Sequence, residues 1–250
     1  MAPVLQTFNL VKRFGGITAT NNVSFALQPG SRHALIGPNG AGKTTLVNQL
    51  TGVLAPSEGR IELAGADITG LKPEARVRLG MSRTFQINQL FKSMTPLEMI
   101  LLVLSEQNNL GLSLFRRLDH DPAMLREAGE IAERFRLDDM ITGEIGLLPY
   151  GKQRQLEIAA AFAARPRVLL LDEPAAGVPE AERQDLLRTI AELPADVSVV
   201  LIEHDMDLVF RFATHITCLV NGTVIADGSP AAIAADPAVR AAYLGEEANV

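Results

Sequence analysis

The stretch Gly37-Pro38-Asn39-Gly40-Ala41-Gly42-Lys43-Thr44-Thr45 restricts this chain more than any other. It has the form G-x-x-x-x-G-K-[ST], a loop that wraps phosphate. The apolar run His33 to Ile36 precedes it and reads as a buried strand. Leu46 to Leu50 follows with helical spacing. A strand–loop–helix unit of this kind belongs to an α/β fold. Glycines let the loop curl until several N–H groups converge. The helix N-terminus adds partial positive charge, so amides and dipole together hold a polyphosphate. Lys43 supplies a point charge for the β- and γ-phosphates, and the Thr44 hydroxyl is a candidate Mg2+ ligand. Thr45 offers a hydroxyl to a phosphate oxygen nearer the nucleoside.

The chain has 250 residues, of which 47% are hydrophobic. That is enough for a real core in one or two domains and argues against wholesale disorder. The formal net charge of −6 argues against nucleic acid as the main partner, because phosphate backbones call for basic stripes. Cys218 is the one cysteine, so no disulfide forms within the chain. It reads as a small buried strand residue in a reducing compartment. The first ten residues lack a basic start followed by an apolar core, so no secretory signal is expected. The longest apolar run, Met99 to Leu104, falls far short of the roughly 18 residues of a membrane span. Attachment to a membrane would need a partner.

Along the chain, Val4–Leu10, Val23–Leu27 and Arg60–Leu63 read as strands, with a turn through Val11–Gly16. Leu90 to Leu147 changes character: it is helical in pattern, without a convincing strand. Met124, Ala128, Ile131 and Phe135 fall on one helical face. Gly111 to His120 is read as a loop or a short amphipathic element. Gln153–Ala164 is expected as a helix stopped by Pro166. Val168–Leu171 and Val197–Ile202 are continuous apolar strands of the kind buried in parallel sheets. Ala181–Leu193 is expected as a helix. Asn221-Gly222 between Ile216–Val220 and Thr223–Ala226 signals a tight hairpin.

A second cluster of chemistry closes the apolar strands. Asp172 and Glu173 follow Val168–Leu171 at the edge where open α/β sheets bind ligands. Asp172 fits a Mg2+-holding role, and Glu173 is placed to polarise a water for attack on the γ-phosphate. His204 follows Val199–Ile202 at the same kind of edge. It is a candidate γ-phosphate contact.

The order of Gly37–Thr45, Gln86 in Arg83-Thr84-Phe85-Gln86, Leu148-Pro149-Tyr150-Gly151-Lys152-Gln153-Arg154, Asp172-Glu173 and His204 resembles the ATP-binding subunits of ABC transporters. The resemblance covers essentially the whole chain. It implies a RecA-like P-loop core with an antiparallel β-subdomain and an inserted helical subdomain. The core and β-subdomain are expected at 1–88 and 155–250, and the helical subdomain with the signature loop at 89–154. It implies ATP and Mg2+ sandwiched in a head-to-tail dimer. Phe14 matches the aromatic that stacks on adenine. Gln86 matches the residue that senses Mg2+ and the attacking water. Gly151 matches the signature glycine whose N–H meets the γ-phosphate bound by the other subunit.

Lys12-Arg13-Phe14-Gly15-Gly16, Glu173-Pro174-Ala175-Ala176-Gly177 and Ala242-Tyr243-Leu244-Gly245-Glu246 narrow the resemblance to branched-chain amino-acid importer ATPases, and Arg83-Thr84-Phe85-Gln86 makes it look more like the LivG than the LivF type. That implies permease subunits, a LivF-like second ATPase or a second copy of itself, and indirectly a periplasmic solute-binding protein. It also implies a peripheral place on the cytoplasmic face of the inner membrane. Met94–Leu104 reads either as a permease-facing surface or as core. Two stretches depart from the superfamily pattern. Pro149 and Tyr150 stand where serine and glycine are usual, and Pro179 stands where aspartate or asparagine is usual. A transport-free ABC ATPase acting on ribosomes or DNA is the rival reading. It usually carries two nucleotide modules or long heptads, and this chain has neither.

Overall fold

The computed structural model describes residues 2–84, 90–108 and 121–247, the last four without their side chains. Gln86 and the Gly111–His120 stretch lie outside the described residues. The chain opens with strands β1 (Leu5–Phe14), β2 (Ile17–Val23), β3 (Ala26–Leu27) and β4 (Arg32–Ile36). Helix α1 (Lys43–Thr51), strands β5 (Glu58–Leu63) and β6 (Ala66–Asp67), helix α2 (Pro73–Arg78) and strand β7 (Met81–Arg83) follow. Then come helices α3 (Pro96–Gln107), α4 (Pro122–Arg134) and α5 (Tyr150–Ala163). The remainder is β8 (Val168–Asp172), α6 (Glu180–Ala191), β9 (Ser198–Ile202), α7 (Met206–Phe212), β10 (His215–Val220), β11 (Thr223–Gly228), α8 (Pro230–Ala235) and α9 (Pro237–Glu247). Contacts divide the chain into one unit of Met1–Met81, Arg167–Glu173 and Ala195–Val250, and another of Ser82–Pro166 and Pro174–Pro194.

The first unit holds two sheets. One is antiparallel, in the order β2-β1-β5-β6, with β3 also paired to β1. The other runs β11-β10-β4-β9-β8, with β7 beginning at Met81 beyond β8. In it β10, β4, β9 and β8 are parallel and β11 is antiparallel to β10. Strands β8 and β9 are buried throughout, as their unbroken apolar runs predict. One core cluster includes Leu5, Ile61 and Leu63 of the antiparallel sheet with Leu35, Leu170, Val200 and Leu219 of the parallel one. Leu46, Val47 and Leu50 of α1 fill it further. Each such side chain contributes roughly 1.5–3 kcal/mol on burial. A second cluster, including Ile36, Val209, Ile216, Cys218 and Ile233, covers the other face. Gln49, fully buried, accepts from Thr20 Oγ1 at 2.8 Å and so pins α1 to β2.

Two strand expectations need correction. The first strand runs past Leu10 to Phe14, so the expected turn narrows to Gly15-Gly16. Asn9 at φ 48° and register shifts on both sides of Leu10 break the alternation there, which is why the pattern stopped short. Val23–Leu27 is not one strand. Val23 ends β2, and Ala26–Leu27 pair separately with β1. Thr7 holds the corner between them, donating to Val23 O at 3.0 Å and accepting from Phe25 N at 2.9 Å.

The second unit is built from α3, α4, α5 and α6. Thr95 and Glu98 form a reciprocal cap on α3, and Asp121 caps α4. The expected face of α4 is buried through Met124, Ala128 and Ile131, and Phe135 beyond it packs on Phe162 at 5.5 Å. Ile100, Leu101 and Leu104 are core residues, whereas Phe91 and Leu102 are exposed.

Candidate phosphate site and signature loop

Strand β4 lies between β9 and β10, although β9 and β10 both follow it in sequence. Winding therefore reverses at β4, and the C-terminal ends of the strands on either side face one crevice. The loop from Gly37 to Gly42 leaves β4 at this point. A Cβ on Gly37 (φ 148°) would stand 2.0 Å from Leu219 O, and one on Gly42 (φ 99°) 2.3 Å from Ala19 O. Glycine is thus required at both positions by neighbouring backbone as well as by φ. Ala41 O accepts from Gly222 N at 2.8 Å, which ties the loop to the β10–β11 turn.

Lys43 folds back over the loop, its Nζ donating to Gly37 O at 2.5 Å and Pro38 O at 3.0 Å. Among the described residues no side chain caps the Gly42 end of α1. The helix therefore keeps its partial positive end for an incoming anion. Asn39 and Gly40 are exposed, Pro38 and Thr45 half-buried, and Thr44 exposed.

Asp172 ends β8, 4% exposed. Glu173 follows with φ 45°, its N–H donating to Ile202 O at 2.9 Å. A left-handed glutamate costs about 1–2 kcal/mol, and such strain gathers at functional sites. The Glu173 carboxylate Oε1 lies 3.9 Å from His204 Nδ1. Glu203 Oε2, with its side chain only 2% exposed, lies 3.7 Å from the same nitrogen. It also accepts from the His204 N–H at 3.2 Å. The imidazole thus sits between two carboxylates with its outer face open to solvent. Phe14 is half exposed at the end of β1, with Lys12 Nζ 5.3 Å from its ring centre.

In the second unit, α5 starts at Tyr150, earlier than the expected Gln153, so Gly151 stands in its first turn. The Gly151 N–H is already engaged, donating to Glu182 Oε2 at 2.6 Å. Tyr150, the unusual signature residue, accepts from Arg154 Nη2 at 2.8 Å, and the guanidinium also lies over its ring. Arg154 pairs with buried Glu157 at 2.7 Å. Burial pushes the Glu157 carboxyl up, and Arg154 opposes the shift. Pro179 caps α6 through its carbonyl, which accepts from Glu182 N at 2.9 Å. Sequence reasoning passed over Glu203 and Glu182. Glu203 stood in view beside His204, but Glu182 carries no local signal.

A phosphate loop on the switch-point strand, with an acidic pair closing the strand two places along the same sheet, defines a P-loop nucleotide-binding protein. The family model described as ABC transporter matches residues 20–176, and that of the branched-chain amino acid ATP-binding cassette transporter matches residues 223–249. The chain belongs to the ABC transporter family as an ATP-binding subunit, and its activity is that of an ATPase. It is 43% identical over 253 residues to the high-affinity branched-chain amino acid transport ATP-binding protein BraF of Pseudomonas aeruginosa, covering 98% of each chain. It is 41% identical to LivG of Escherichia coli, again over 98% of both. Among solved structures, the ADP conformation of MJ1267, an ATP-binding cassette of an ABC transporter, superposes with a TM-score of 0.85. That protein is 32% identical, over 98% of this chain and 100% of that one. Family membership implies a membrane permease and a paired ATP-binding subunit. No helix among the described residues is long and apolar enough to cross a membrane.

Proposed function

We propose that this chain hydrolyses ATP to drive an importer of branched-chain or chemically related amino acids. Support comes from relatives that match end to end and are transport ATP-binding proteins, among them BraF and LivG. The segment at 223–249 adds to it, matching a branched-chain amino acid cassette family. These matches disfavour the ribosome- or DNA-acting reading.

The loop amides of Gly37–Thr45 bind the phosphates, and Lys43 exchanges Gly37 O and Pro38 O for phosphate oxygens. Phe14 offers its open face to adenine. Thr44 and Asp172, with Gln86, would hold Mg2+. A hydroxyl and a carboxylate are the hard oxygen donors that ion takes. When bound with ATP, Mg2+ neutralises charge on the phosphates. Glu173 accepts the proton of the attacking water, and its left-handed backbone aims the carboxylate that does so. That strained residue carries the chemical assignment. His204, braced by Glu203, contacts the γ-phosphate. Gly151 of one subunit meets the nucleotide of another across a head-to-tail dimer, after Glu182 has released it.

We assign the helical subdomain to 89–154, with the core and β-subdomain on either side. Partners are permease subunits, a LivF-like ATPase or a second copy, and a periplasmic solute-binding protein. The chain sits peripherally on the cytoplasmic face of the inner membrane. The test is magnesium-dependent phosphate release by the chain reconstituted with its genomically adjacent permease and ATPase. Stimulation by solute-loaded binding protein is expected. Release unaffected by any branched-chain or related amino acid would overturn the cargo assignment.

A further inference from the structure

Three strands meet at the end of the parallel sheet away from the phosphate loop. His33 is the second residue of β4, His215 opens β10 and Asp227 lies near the end of β11. Their registers put them on one face. His33 pairs directly with His215, and Asp227 with Thr217, two residues beyond His215. One ring nitrogen from each histidine and one Asp227 oxygen lie within 4.8 Å of one another. His215 Nε2 is 2.9 Å from Asp227 Oδ2.

We propose that His33, His215 and Asp227 form a binding site for a borderline divalent transition metal of the zinc type, separate from the nucleotide site. Two imidazoles and a carboxylate are a donor set that such ions take, while Mg2+ prefers oxygen alone. Tetrahedral bonds of about 2.1 Å place ligand atoms about 3.4 Å apart, so the widest pair must close by up to about 1.4 Å while His215 and Asp227 open by about 0.5 Å. The side chains able to move are the outer ones, His215 at 40% and Asp227 at 53% exposure. His33 is the fixed ligand. It is 2% exposed and packed on Phe25 at 4.7 Å. Burial pushes its pKa down to about 4, so its imidazole is neutral near pH 7.

A second layer is also in place. Thr217 Oγ1 donates to Asp227 Oδ1 and, its one proton used there, accepts from His33 Nε2 at 2.7 Å, a bond that ligation through that nitrogen would displace with its proton. A hydroxyl bonded to a ligand carboxylate is the kind of outer partner that orients metal ligands. The metal would tie β4, which leads into the phosphate loop, to β10 and β11.

The test is calorimetric titration of the untagged, chelator-washed full chain with ZnCl2, without nucleotide. One saturable site per chain is expected. His215→Asn and Asp227→Asn, both substitutions at partly exposed positions, should each weaken binding at least tenfold. His204→Gln, which alters the other histidine–carboxylate cluster, should leave binding unchanged. The bound ion should also raise the melting temperature of the wild type and not of His215→Asn. Absence of a saturable site would overturn the proposal. So would binding that His204→Gln removes and His215→Asn preserves.

Discussion

Replacing Arg76 with methionine should destabilise the first unit more than any surface change of like size. Arg76 is 1% exposed, and its guanidinium is bonded to backbone alone. Nη1 donates to Gln49 O at 2.8 Å and Leu50 O at 2.5 Å, the last carbonyls of α1. Nε donates to Leu71 O at 3.0 Å and Nη2 to Thr69 O at 2.9 Å. The cation therefore sits at the negative end of the helix that carries Lys43. Burial pulls its pKa down, and Asp67 acts the other way. Hydrogen bonds to a charged group contribute about 1.5–3 kcal/mol each. Much of that offsets the desolvation of the guanidinium, and each buried acceptor left without a donor costs about 1–3 kcal/mol. Methionine fills most of the volume but takes a donor from four carbonyls, of which Gln49 O keeps the Gly52 N–H at 3.2 Å. We expect a loss of ~3–4 kcal/mol and, for a chain of this size, a melting temperature lower by about 10 °C. Arg76→Lys keeps the charge and should recover about half. Urea titration of the full chain, followed by circular dichroism, measures both. A loss under ~1 kcal/mol for Arg76→Met would refute the reasoning.

Other expectations follow from the site. Glu173→Gln should retain ATP binding and lower turnover by at least about a hundredfold, since one general base contributes on that scale. Radiolabelled nucleotide binding and phosphate release check it, and normal turnover would remove Glu173 as the base. Glu182→Ala frees the Gly151 N–H. In the Glu173→Gln background it should lower, by severalfold, the ATP concentration needed for subunit pairing, read by analytical ultracentrifugation. An unchanged or raised requirement would mean that Glu182 does not compete with phosphate. Burial, with Asp236 adding and Lys43 opposing, pushes the Cys218 thiol up to about 11. Its thiolate at pH 8 is then about a thousandth of the whole. Iodoacetamide should label it only as the chain unfolds in urea, and rapid native labelling would contradict the buried strand.

Local chemistry was legible and tertiary chemistry was not. The phosphate loop and the Asn221-Gly222 hairpin could be read because each is fixed by φ preferences of adjacent residues. Asn221 and Gly222 do adopt φ 48° and 75°. Buried strands β8 and β9 were legible from their apolar runs. Helix α2 was missed, since six residues show too little periodicity and Pro73 at its start was its main mark. Arg76 was missed because its partners are carbonyls, which no side-chain pattern encodes. The His33–His215 contact depends on a parallel register between strands far apart in sequence.

The hairpin glycine shows how the two kinds of information join. Its sequence role is the turn. In the fold its N–H donates to Ala41 O and its carbonyl accepts from Asn21 N, both at 2.8 Å. A Cβ there would stand 2.7 Å from Ala19 O, the same carbonyl that excludes a side chain from Gly42. Ala19 O therefore closes on the phosphate loop and the hairpin at once. The curvature of Gly37–Thr45 is set by β2 and the β10–β11 turn pressing on it, as much as by the loop's own glycines. Loss of the glycine at 222 must then be felt in the Gly37–Thr45 loop, through Ala19 O and Ala41 O.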